Sequence, residues 1–76
     1  MRPADLAAAV RFRADLASDA ARETREASGV TAADIARVVG VTRQAVSSWE
    51  TGAVVPTVGH ALAYGRALAA LGRRAA

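Results

Sequence analysis

Two helix-forming runs, TAADIARVV (31–39) and TRQAVSSWE (42–50), are joined by nothing more than Gly40 and Val41. A link that short makes the helices cross steeply, which is the geometry of a helix–turn–helix. Both ends of each run carry a local reason to stop. Thr31 and Asp34 have capping-box spacing, with Asp in place of the usual Glu. Ile35, Val38 and Val39 form the inner stripe of the first run, and Gly40 stops it, because glycine tolerates the left-handed turn after a helix. Thr42 is the N-cap of the second run, and Gly52 closes it.

The rest of the chain reads as helix too. Hydrophobic residues make up 53% of the sequence, but much of that is alanine, the best helix former, and aromatics are only 4%. A first segment runs from about Pro3 to Ala27, with proline suited to its first turn. Leu6, Val10, Leu16, Ala17, Ala20, Ala21 and Ala27 recur at roughly helical spacing. Arg22 and Glu26 are i,i+4 partners. Ser18-Asp19 offers a cap for a fresh helix, so this segment is one helix or two meeting near residue 18. Gly29 ends it.

After Gly52, Pro56 keeps Val55 extended. A last helix begins near Thr57 and runs to about Leu71, with Val58, Ala61, Leu62, Gly65, Leu68 and Ala69 on one face. Tyr64 lies off that stripe and is expected at partial exposure or a dimer contact. Gly72 ends the helix, with Arg73 and Arg74 at its negative pole. No strand-like alternation of useful length occurs. The expectation is an all-α fold: a small helical bundle of four to five helices with a helix–turn–helix and an extended N-terminal helix. One domain covers 1–76, its helix–turn–helix core at about 31–50 and its N-terminal extension at about 3–16.

Composition narrows function by exclusion. The 76 residues hold one histidine, no cysteine and no clustered carboxylates, so no nucleophilic, metal or acid–base constellation is legible. The expectation is no enzyme, no cofactor, no metal site and no small-molecule ligand. No apolar run is long enough to cross a bilayer, and a cytoplasmic setting fits. The formal charge is +3, and every basic residue is arginine. Arginine with abundant alanine also fits a GC-rich coding sequence, so this charge permits binding to a phosphate backbone without requiring it.

The informative face is on the second run. Ala45, Val46 and Trp49 share the inward side. Arg43, Gln44, Ser47 and Ser48 share the other, as i,i+4 pairs 43–47 and 44–48. That outer face has no acid and no large apolar residue. Arginine can grip the O6/N7 edge of guanine and glutamine the N6/N7 edge of adenine. The helix N-terminus adds partial positive charge and open amides for a phosphate. The alternative is an ordinary solvated helix surface. Trp49 reads as a core anchor, His60 as a surface or helix-start residue, and Arg11, Arg13 and Arg22 as solvated.

The span SGVTAADIARVVGVTRQAVSSWETGAVVPT resembles the helix–turn–helix of the lambdoid Cro/CI-repressor superfamily, also called the XRE family. The shared features are Ala36, Gly40 at the turn, Val46, the close Trp49-Glu50-Thr51-Gly52, and Pro56 before the next helix. The likeness covers roughly residues 17 to 71. It implies base contacts from Arg43, Gln44, Ser47 and Ser48. It implies phosphate contacts from Thr31, Thr42, Arg37 and Thr57. It implies a structural clamp between Arg25 and Glu50. Three departures stand out. Ala32 and Ala33 occupy a place where many members carry a phosphate-binding Gln. The link after Gly52 has no basic residue. The family's usual fifth helix is missing, with an N-terminal extension in exchange. We expect Leu6, Val10, Phe12 and Leu16 of that extension to cover the apolar surface left open on the last helix, or else to form a dimer.

The function so implied is a sequence-specific double-stranded DNA-binding transcriptional regulator, a Cro-type phage or prophage repressor acting in the bacterial cytoplasm, at the nucleoid. An antitoxin autorepressor or a phage directionality factor could use the same domain. So could a protein-binding helical module without DNA binding. The partner is an operator in duplex DNA. If the chain is a homodimer, at least on DNA, the operator is a near-palindrome with half-sites about one helical turn apart.

Overall fold

The structure is a computed structural model that describes residues 2–75, with side chains described as far as residue 72. Five α-helices follow in order: α1 (Pro3–Ala17), α2 (Ala20–Ala27), α3 (Ala32–Val39), α4 (Arg43–Glu50) and α5 (Val58–Ala75). Among the described residues there is no strand. The fold is all-α, as the periodicity requires.

Local chemistry explains most boundaries. The Thr31 hydroxyl accepts from the Asp34 amide, and the Asp34 carboxylate accepts from the Thr31 amide, both at 3.0 Å. That closes a complete capping box on α3. Gly40 then takes a left-handed conformation (φ 85°) that a side chain would strain. Two residues later the Thr42 hydroxyl accepts from the Ala45 amide at 3.0 Å and opens α4.

The break near residue 18 is real, but its chemistry differs from the expectation. Asp19 is itself left-handed (φ 66°), and its side chain makes no capping bond. The Ser18 hydroxyl turns back to the Asp15 carbonyl at 3.2 Å. The kink therefore comes from one backbone torsion, which aspartate tolerates better than most residues.

Four other expectations are corrected. Gly72 does not end α5, which continues to Ala75. A glycine inside a helix costs about 1 kcal/mol relative to alanine, too little by itself to stop a helix. The side chains of Arg73 and Arg74 lie outside the described residues. Val38 is exposed rather than internal, because α3 turns Ile35 and Ala36 to the core. Leu6 and Val10 also point outward, while Phe12 and Leu16 pack inward. Tyr64 is fully buried at the centre of the molecule, not at its surface.

The core is assembled around Leu16, Ile35, Val46, Trp49, Tyr64 and Leu68. Fully burying a side chain such as Leu16 or Ile35 contributes about 1.5–3 kcal/mol. The N-terminal helix is part of this core. It packs chiefly along α5, with smaller contacts to α2 and α4. Phe12 lies tilted against Tyr64 with ring centroids 5.1 Å apart, a separation at which aromatic pairs attract. Gly65 makes the approach possible, since a β-carbon there would meet the Phe12 ring at 3.2 Å. Arg13, read as solvated, instead donates twice to the Pro56 carbonyl, from Nε at 2.9 Å and from its terminal nitrogen at 2.7 Å. The link between α4 and α5 is thereby tied to α1.

Candidate nucleic-acid interface

Three side chains set how α4 sits. Glu50, at its last turn, is 4% exposed. Its two oxygens accept from Arg25 on α2, from Nε at 2.8 Å and from a terminal nitrogen at 2.9 Å. The remaining terminal nitrogen of Arg25 donates to the Val30 carbonyl at 2.9 Å, so one guanidinium holds both α4 and the turn before α3. The Tyr64 hydroxyl of α5 donates to the same Glu50 oxygen that meets Arg25 Nε. Hydrogen bonding to Glu50 holds the Arg25 guanidinium in its charged form, above its ordinary range. Burial first, and then Glu50, push the Tyr64 phenol well above its usual range. Arg25 and Glu50 were picked out from the sequence, but Tyr64 was not. The stripe Ala61, Tyr64, Leu68 and Leu71 was the missed signal.

With its C-terminal end held there, α4 buries Val46 completely and Trp49 to 5% exposure. Trp49 also lies over His60, ring centroids 5.3 Å apart, so the indole is occupied from within the chain. The opposite face is free. Arg43 and Gln44, at the capped N-terminal end, are exposed, and Ser47 and Ser48 are half-buried.

An open groove of about 640 Å³ runs between the start of α3 and this face of α4. Thr31, Ala32 and Ala33 form one wall, Arg43 and Ser47 the other, and Val30 and Arg25 are among the residues beneath. The capping box engages the amides of Thr31 and Asp34, which leaves those of Ala32 and Ala33 without a helical acceptor. The two walls thus offer open amides, hydroxyls and the Arg43 guanidinium as donors suited to an anion, while the lining also includes an acid, the exposed Glu26.

The remaining residues of interest lie elsewhere. Gln44 and Ser48 of α4, and Thr42 that caps it, do not line the groove. Arg37 projects from α3 with its side chain 76% exposed and pairs with Asp34 at 3.6 Å. Hydrogen bonding to Thr31, its amide first, and to a smaller extent the charge of Arg37 keep the Asp34 carboxyl below the usual carboxylate range. Thr57 sits at the start of α5, where its hydroxyl accepts from the His60 amide at 3.1 Å. A threonine acting as a cap uses its oxygen as acceptor and keeps its own O–H, so Thr31, Thr42 and Thr57 each retain a donor.

Among the described residues no group of His, Cys, Asp or Glu is placed to hold a metal ion. Among the described residues, too, no helix is long and apolar enough to cross a membrane. A family model described as a helix–turn–helix domain matches residues 18–76, which takes in α2 to α5 and leaves α1 outside. No curated protein and no solved structure matches the chain.

Proposed function

The chain belongs to the helix–turn–helix domain family, and from that premise we propose that it is a sequence-specific regulator that reads duplex DNA through the major groove with α4. One observation carries this reading. Arg43 and Gln44 stand exposed at the capped N-terminal end of α4, while Trp49 and Val46 of the same helix are buried. Two fork-shaped side chains at the leading end of a narrow helix match the base-edge patterns of guanine and adenine. Ser47 and Ser48 extend the reading face by one turn. Thr31, Thr42, Arg37 and Thr57 serve the flanking phosphates, which set register but carry no sequence information.

The work is done by binding, with no reaction catalysed and no cofactor. The finer assignment is a Cro-type repressor: a small domain that represses by occupying its operator. The likeness of Trp49-Glu50-Thr51-Gly52 and the Arg25–Glu50 clamp to that superfamily supports it.

The test is selection of bound sites from random duplexes, followed by titration of the Arg43→Ala variant. Arg43→Ala should cost about 1–3 kcal/mol on the selected site and relax specificity at one base pair. An equal loss on every sequence would make Arg43 a phosphate contact. Failure of the folded chain to bind any duplex at low salt would refute the proposal.

A further inference from the structure

α1 is apolar on two sides. Its inner side, with Ala9, Phe12 and Leu16, is covered by the body of the domain. Its outer side carries Pro3, Leu6, Ala7, Val10, Ala14 and Ala17, all exposed and all at i,i+3 or i,i+4 spacing. Leu6 is 48% and Val10 54% exposed. No charged residue interrupts that stripe. A surface helix normally turns its polar face to water, and one that is apolar all round is normally buried. α1 is also the element that lies before the family match, so the helix–turn–helix itself does not account for this second face.

We propose that the outer face of α1 is a self-association surface, and that two copies of the chain pair through it with their α1 helices antiparallel. Shape supports a second copy as the occupant. The large residues, Leu6 and Val10, lie toward the N-terminal half of the stripe, and the small ones, Ala14 and Ala17, toward the C-terminal half. Antiparallel packing seats the large half of each copy on the small half of the other, as close helix contact requires. A parallel pair would set large on large and small on small.

Charge points the same way. Arg11 and Asp15 are exposed along one edge of the stripe, four residues apart. In an antiparallel pair they run in opposite order on the two copies, so each Arg11 faces toward the other copy's Asp15. A lipid surface is a poorer match, because the flanks mix both signs instead of presenting a basic rim. The nucleic-acid backbone is a poorer match too, since the stripe has no cation.

The helix has 15 residues, which at about 1.5 Å per residue is roughly 22 Å of contact. One helix face of that length is smaller than the about 800 Å² per partner of a standard interface. The dimer should therefore be weak and dependent on concentration.

The experiment is sedimentation equilibrium on the full chain without DNA, over ~10 µM to ~1 mM, the range expected of a sub-standard interface. The mass should rise from 7.8 kDa toward twice that value. Val10→Glu should hold it at the monomer value throughout that range, while the circular-dichroism melt stays unchanged because Val10 contributes little to the core. The chain has no cysteine, so single cysteines report orientation. Leu6→Cys and Ala17→Cys chains, mixed and oxidised, should cross-link to each other in preference to themselves. A monomer at every concentration overturns the proposal, in favour of a partner of another kind. A dimer that survives Val10→Glu, or like-with-like cross-linking, overturns it as well. No DNA enters the measurement, so its outcome is independent of the reading of α4.

Discussion

Replacing Glu50 by alanine should be among the most damaging single changes available to this domain. The side chain is 4% exposed and Arg25's 11%, so the pair is largely shielded from water. Removing one partner of a buried pair costs about 3–5 kcal/mol, because the other charge is left uncompensated. Arg25 cannot escape by losing its proton, since a guanidinium stays charged at any ordinary pH. Its bond to the Val30 carbonyl and its slight exposure place the cost near the lower limit, about 3 kcal/mol. The Tyr64 hydroxyl, buried and now unpartnered, adds about 1 kcal/mol or more. The total is about 4 kcal/mol, against roughly 4–11 kcal/mol for a domain of this length. Glu50→Ala should therefore lose about a third or more of the domain's stability. Urea denaturation followed by helical circular dichroism measures it. The triple variant Arg25→Met, Glu50→Leu, Tyr64→Phe removes all three polar groups together. It should recover about 1–3 kcal/mol of the loss, the remainder being the about 1–3 kcal/mol cost of the bared Val30 carbonyl. A Glu50→Ala loss under ~1 kcal/mol, or a triple variant no better than the single, would refute the account of the clamp.

Two further outcomes follow from the same coordinates. The chain has one tyrosine and neither lysine nor cysteine, so Tyr64 is the side chain whose unfolded-state titration falls near pH 10. Burial raises the folded-state phenol above the unfolded one, so the native state keeps a proton that the unfolded state has lost. The stability is fully present below about pH 10 and falls as pH rises beyond it, by up to ~1.4 kcal/mol per pH unit. Urea midpoints between pH 8 and 12 should show that slope in the native chain and not in Tyr64→Phe. Gly59, in the first turn of α5, is exposed and a β-carbon there meets only the Thr57 hydroxyl, at 4.0 Å. Gly59→Ala should accordingly raise stability by about 0.5–1 kcal/mol, read from the thermal midpoint.

The parts of this protein that were legible without coordinates are those governed by neighbours in the chain. Thr31 and Thr42 cap because their hydroxyls reach amides three residues on, and Gly40 turns because only its own torsion is at stake. Such terms are local, and residue spacing encodes them. The division of α4 into a buried side and a free side follows from helical period in the same way. Arg25 and Glu50 are 25 residues apart, and only the likeness to a known motif suggested that they meet.

Tertiary structure decided the rest. α1 carries apolar residues at nearly every angle, so period alone could not say which side the domain covers; the fit of Phe12 over Gly65 and Tyr64 chose it and left Leu6 and Val10 outside. Tyr64 belongs to two overlapping stripes on α5, and the carboxylate that drew it inward comes from another helix. Arg13 found its acceptor in a carbonyl 43 residues away. Short-range order is written in the chain because its energies depend on a few adjacent groups. Which of two equally apolar faces is buried, and which polar group a long side chain meets, depends on surfaces that exist only once the helices have packed.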